Sequence, residues 1–146
     1  MSYVSSIYHI IFSTHQREEV LQEDDNCREL YFYILGVVRK HHCDLVRINS
    51  MPDHIHLLVE LGPQIAISEL VREIKRGSSL WIKQSGKFPH FRSWEREYAA
   101  FSVSFHDKET IRQYIIHQQE HHQRQSFDDE LQQCLKDCGL QLYPSN

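Results

Sequence analysis

The chain lacks any apolar run approaching the roughly 18 residues needed to cross a bilayer, and nothing near its start reads as a secretion signal. Its cysteines are only Cys27, Cys43, Cys134 and Cys138, at irregular spacing that builds no disulfide framework. A cytoplasmic, thiol-reduced protein without a membrane partner is expected. Cys134 and Cys138 would stand one helical turn apart, a spacing that can hold a metal but more often belongs to two small apolar side chains. Repeats and low-complexity tracts are absent. So is a basic surplus: 16 Lys and Arg face 20 Asp and Glu, a formal net charge of −4. That balance weighs against a nucleic-acid binder acting through bulk charge. The distribution is uneven, however. Arg72, Lys75, Arg76, Lys83, Lys87, Arg92 and Arg96 concentrate in one stretch, while Glu18, Glu19, Glu23, Asp24, Asp25 and Glu29 concentrate in another, so a surface with one basic side is expected.

What is present suits one core. The 146 residues are 40% hydrophobic and 11% aromatic, enough for a single domain over 1–146 and too few for two. Its core is expected over about 3–105, followed by a helix over about 107–123 and a tail over 124–146.

Alternation and β-branched or aromatic residues predict a first strand over 3–13. Leu30, Tyr31, Ile34, Leu35 and Val38 at helical spacing predict a helix over 24–41, started by Asp24 or Asp25. A strand from Asp44 to Asn49, a turn at Met51-Pro52-Asp53 and a strand from His54 to Leu61 make a hairpin. Gly62-Pro63 ends it. Ser68 is the expected N-cap of a second helix running to Trp81 or Lys83, with Leu70, Ile74, Leu80 and Trp81 as its apolar members and Gly77 tolerated at some cost. Trp94 to Phe105 reads as a fourth strand. The order β-α-β-β-α-β describes an α+β, ferredoxin-like or RRM-like sandwich with an antiparallel sheet. A further helix is appended, and Asp128 to Leu142 reads as a short last helix that packs back or swaps onto a partner.

The most informative segment is Met51-Pro-Asp-His54-Ile-His56-Leu-Leu-Val-Glu60-Leu61. Side chains alternate faces along a strand, so His54, His56, Leu58 and Glu60 share one face and Ile55, Leu57, Val59 and Leu61 the other. Two neutral imidazoles side by side form half of a divalent-metal site, although a polar strand face carrying incidental histidines is the commoner source of such a pattern. Glu60 reads as a solvated charge more readily than as a support for the histidines.

The stretch Glu109 to His122 reads as a helix with Asp107 as N-cap and an apolar stripe at Ile111, Tyr114 and Ile115. Tyr114 and Gln118, four residues apart, lie on one face. Taken alone they fit a core aromatic and a surface amide as well as a site. Trp94 and Tyr98 fit core or dimer positions better than base-stacking platforms.

Taken in order, Tyr8-His9-Ile10-Ile11-Phe12, Ser50-Met51-Pro52-Asp53, His54-Ile55-His56, Ser93-Trp94-Glu95-Arg96-Glu97-Tyr98 and Tyr114-Ile115 with Gln118, His121 and His122 resemble the signature segments of the HUH single-tyrosine transposases of small bacterial insertion sequences, REP-associated relatives among them. The resemblance covers essentially the whole chain. It implies a transposase that cleaves and rejoins single-stranded DNA at hairpin-marked element ends through a 5′-phosphotyrosine link, with Tyr114 as nucleophile and a metal on His54, His56 and the amide oxygen of Gln118. Two imidazoles and an amide leave positions open for phosphate oxygens, so Mg²⁺ or Mn²⁺ is the expected ion. Arg72, Lys75 and Arg76 are candidate DNA-backbone contacts, with a solvated helix face as the alternative. His121, seven residues beyond Tyr114, is a candidate phosphate contact or proton carrier, or part of the helix surface. The resemblance also implies a homodimer in which the tyrosine helix of one protomer completes the histidine site of the other. Family members often show a glycine after the fourth strand, where this chain has Ser104-Phe105. A domesticated palindrome-binding relative would share these residues. A noncatalytic RRM-like module is disfavoured, since no RNP-type aromatic motif sits on a candidate strand.

Overall fold

The computed structural model describes residues 2–22, 24–122 and 125–140. Four strands, β1 (Ile7–Ser13), β2 (Asp44–Met51), β3 (His54–Glu60) and β4 (Ala99–Val103), form an antiparallel sheet in the order β2-β3-β1-β4. Helices α1 (Asp24–Lys40) and α2 (Ile67–Ser85) complete the expected sandwich. They are followed by α3 (Lys108–Ile116), a single turn α4 (Gln118–His121) and α5 (Phe127–Asp137).

One sheet face is apolar. Ile10 and Phe12 of β1 and Ile55, Leu57 and Val59 of β3 pack against Leu30, Ile34 and Val38 of α1 and Leu70, Val71, Ile74 and Ile82 of α2. Gly77 in α2 has a packing reason, because a Cβ there would come within 2.8 Å of the Tyr33 hydroxyl. The other face carries two smaller apolar clusters. Ile7, Leu58 and Ile115 form one and Ile11, Phe101 and Phe127 the other, with the histidines between them.

Several expected boundaries shift. Residues 3–6 are outside β1, and Tyr3 is almost fully exposed. Trp94 is buried rather than part of a long fourth strand. Its ring stands edge-on to Phe12 and Phe91 and its Nε1–H donates to Ser78 Oγ at 2.9 Å, so a core anchor replaces the first half of the expected strand. Helix α2 begins one residue before Ser68, with Ala66 at the N-cap and no side-chain bond there. Leu80 points outward instead of joining the core, because the buried stripe of α2 runs through Ser78 and Ile82. The expected helix over 107–123 breaks at His117 (φ −95°, ψ 22°), dividing α3 from α4. Asp107 occupies the N-cap position but makes no side-chain cap bond; Ser104 Oγ instead accepts from the Asp107 amide. The last helix ends at Asp137 and packs back onto its own chain through Leu131, Cys134 and Leu135. The remainder of the expectation, Leu142, lies outside the described residues.

Candidate active site

The hairpin register places the histidines. In β3, His54 lies opposite Ser13 and Met51, His56 opposite Ile11 and Asn49, and Leu58 opposite His9. Thus β3 is a central strand, and both imidazoles are fully buried rather than displayed to solvent. The turn that aims them is held from the β1–α1 loop, where the Thr14 amide donates to Asp53 O at 2.9 Å and the Val20 and Leu21 amides donate to Pro52 O at 3.0 Å.

The imidazoles have separate supports. His54 Nδ1 lies 2.7 Å from Asp53 Oδ1, and His56 Nδ1 lies 2.8 Å from Nε2 of the buried His9. A carboxylate can only accept, so His54 Nδ1 carries the proton toward Asp53. Both Nε2 atoms then face the space beneath α5. There Glu130 Oε1 stands 3.3 Å from His54 Nε2, 3.1 Å from His56 Nε2 and 3.0 Å from His122 Nε2. The His54 approach is off hydrogen-bond geometry, which leaves its Nε2 buried and without a hydrogen-bond partner. All four donor atoms lie within 4.8 Å of one another.

Tyr114, on α3, donates its hydroxyl to Glu130 Oε2, so one carboxylate links the phenol to the imidazole cluster. Its ring stands edge-on to His56 at 6.0 Å and stacks on His121 at 4.8 Å. The helix is anchored to its own chain's sheet. Asn49 Nδ2 on β2 donates to Ile115 O at 2.8 Å, and Gln119 Nε2 donates to Asn49 Oδ1 and Ser50 O at 3.1 and 3.3 Å.

The electrostatics follow from burial. Desolvation pushes Glu130 up, but the imidazoles of His122, His54 and His56 gathered around it outweigh it and hold the carboxyl far below the ordinary range. Desolvation lowers His54, yet Asp53 and Glu130 more than compensate and keep it above the usual imidazole value. Burial dominates for His56, lowered to about 4, and for His9, lowered to about 3, so both are neutral at pH 7. Tyr114 is raised well above its ordinary value, first by burial and then by the Glu130 carboxylate.

Of the residues singled out from sequence, His54, His56 and Tyr114 converge, with His121 against the tyrosine ring. Gln118 is fully buried beside them. Its Nε2 donates to Tyr114 O at 3.4 Å, while its Oε1 has no partner. Two atoms of the expected ligand set, His54 Nε2 and Gln118 Oε1, are therefore buried without a hydrogen-bond partner among the described residues. Arg72, Lys75 and Arg76 are not brought to the site. They lie on α2, which packs on the opposite sheet face; Lys75 donates to Arg96 O and Glu97 O, and Arg76 pairs with Glu73. Glu60, read as a solvated charge, is paired with Lys108.

Sequence reasoning missed His9, Asp53, His122 and Glu130 as site residues. Two of them leave a trace. His9 is the polar member of the otherwise apolar Ile7-His9-Ile11 face, and Glu130 is the lone acid on the stripe Phe127, Glu130, Leu131, Cys134.

The chain is similar to known proteins over most of its length. Residues 2–118 match the family model described as transposase IS200 like. The chain is 25% identical to the ISDra2 transposase TnpA of Deinococcus radiodurans, covering 74% of this chain and 80% of that protein. A crystal structure of a protein provisionally described as a transposase, from Deinococcus radiodurans R1, superposes with a TM-score of 0.63 at 31% identity, covering 81% of this chain and 95% of the other. The fold is also that of a REP-associated tyrosine transposase bound to a REP hairpin, at 18% identity and a TM-score of 0.60, covering 84% of this chain and 72% of that one. With four-fifths of its length matched by the family model, the chain belongs to the IS200-like transposases.

Proposed function

We propose that this transposase cuts and rejoins single-stranded DNA at hairpin-marked ends in a metal-dependent reaction, with Tyr114 as the nucleophile. The observation that carries the reading is the phenol of Tyr114 tied by one carboxylate to the point where the Nε2 atoms of His54, His56 and His122 meet. His54 and His56 would hold the ion, with the amide oxygen of Gln118 as a further donor. A site of two imidazoles and an amide leaves positions open for phosphate oxygens and suits Mg²⁺ or Mn²⁺. When bound, the ion supplies charge neutralisation at the scissile phosphate.

The protein's own groups do the rest. Tyr114 attacks phosphorus, a phenolic O–P bond forms, the P–O3′ bond breaks, and the proton from the phenol ends on the departing 3′-oxygen. The 5′-phosphotyrosine conserves the bond energy, so the reverse step joins a new 3′-hydroxyl. The high pKa of Tyr114 means that its bond to Glu130 must be exchanged for the phosphate before attack. His121 stacks on the ring of Tyr114 and would hold its plane. The REP hairpin held by the structural relative supports a DNA hairpin as substrate. Arg72 and Arg76, exposed on α2, would contact DNA flanking the cut rather than the scissile phosphate. The whole chain works as one unit, since α5 reaches into the site. A homodimer that exchanges tyrosine helices would assemble the same groups; within the single chain Tyr114 packs on His56 and α3 is bonded to β2.

Purified protein incubated with Mn²⁺ and single-stranded hairpin ends should give a denaturant-resistant protein–DNA adduct. Tyr114→Phe should abolish it and leave hairpin affinity within about twofold, since only one hydroxyl is removed. An adduct that persists in the variant removes Tyr114 from the role.

A further inference from the structure

The carboxylate of Glu130 is held where no apolar helix stripe needs one. It is 1% exposed, on the inward side of α5, and its two oxygens are divided between the imidazole cluster and the Tyr114 hydroxyl. Burying a carboxylate costs several kcal/mol unless positive charge or donated protons meet it. The donors here are imperfect. His54 Nδ1 is engaged by Asp53, and its Nε2, 3.3 Å from Glu130 Oε1, is buried with no hydrogen-bond partner among the described residues. The donor atoms of His54, His56, His122 and Glu130 lie within 4.8 Å of one another, and a cation among them would supply the positive charge that the buried carboxylate calls for.

The geometry points to Glu130 as a ligand of the same ion that His54 and His56 hold. On this reading ion binding and the docking of α5 form one coupled equilibrium. The inference rests on the metal-dependent reading above and goes beyond the donors expected from sequence. The seat of α5 is built for such coupling. Phe127 stacks on His54 at 4.0 Å between centroids, and Arg17 lies over Phe127 at 5.1 Å and pairs with Asp128. The helix thus meets a metal-site histidine through its first turn and the ion through its second. By linkage, whatever the ion gains from a docked α5, α5 gains from the ion.

The test uses the full chain and Mn²⁺ alone. In the wild type, calorimetric titration should show one site, and Mn²⁺ should slow amide exchange across 127–137 severalfold. Glu130→Gln should weaken Mn²⁺ by tenfold or more and remove that protection. Leu131→Ala, which loosens the seat of α5 without touching a donor, should weaken both together, and it carries the test if the glutamine variant does not fold. Mn²⁺ affinity equal to or tighter than wild type in folded Glu130→Gln, or an affinity unmoved by Leu131→Ala while exchange of α5 accelerates, overturns the proposal; the carboxylate would then be a plug that competes with the ion. A wild type that binds no Mn²⁺ at all overturns the metal-dependent reading itself, which separates the two failures.

Discussion

The two faces of the sheet are made from the same strands and do different work. Toward α1 and α2 the inward residues are mostly apolar, with Ser50 and Ser78 bonded to Tyr31 and Trp94, and the layer is closed by Phe12, Trp94 and Phe91. Toward α3, α4 and α5 the same strands present His9, His54, His56 and Asn49, and apolar contact shrinks to two small clusters at either side. One face stabilises the fold. The other uses part of that stability to hold unsatisfied polar atoms in place, which is the usual condition of a site built on rigid elements.

This division can be broken or sharpened by substitution. The largest effect is expected from His56→Ala, which should eliminate Mn²⁺ binding by calorimetry and with it adduct formation, while circular dichroism shows the sheet retained; strong residual binding would blur the division. Next, Ile74→Ala on the opposite side should cost about 2–5 kcal/mol in denaturant unfolding, as large-to-small core changes do, and leave the Mn²⁺ affinity of the folded protein unchanged. A smaller effect belongs to His9, whose only route to the ion is through His56 Nδ1. His9→Ala should weaken Mn²⁺ by about 10–100-fold, the range for groups that orient a ligand, and His9→Gln, which can still hydrogen-bond to His56 Nδ1, should recover part of it. The mildest is a pH dependence. His54 is held above its ordinary value in the ion-free protein, so its proton stabilises the fold below pH 6.5 and that contribution is lost as pH rises through the folded value. The ion needs the same Nε2 lone pair. Mn²⁺ affinity should therefore rise with pH through that window and then flatten, with a proton released on binding; an affinity flat from pH 6 to 8 would show that His54 carries no competing proton.

How much was legible in the sequence follows the range of the interactions. The strand pairing, both core helices and the His54-Ile55-His56 face were readable because periodicity is local, and Tyr114 because a helical stripe surrounds it. The break at His117 was not, since its cause is distant: Asn49 on β2 takes the Ile115 and Ile116 carbonyls. The site role of Glu130 was hidden for a similar reason. An acid on a helix acquires meaning only from the strand beneath it, 74 residues earlier in the chain for His56. Trp94 was misplaced into a strand because an aromatic between polar residues resembles alternation, whereas its indole serves the core.

The pairing of His56 with Ile11 on one side and Asn49 on the other has a consequence for how such a gene can change. Adding or deleting one codon between His54 and His56 would turn every later side chain of the strand to the reverse surface, sending the imidazole of His56 into the greasy layer and Leu57 and Val59 into the histidine chamber. Length variation in this strand should be tolerated only in steps of two, so the parity of a single ribbon guards the chemistry as firmly as the identity of its residues.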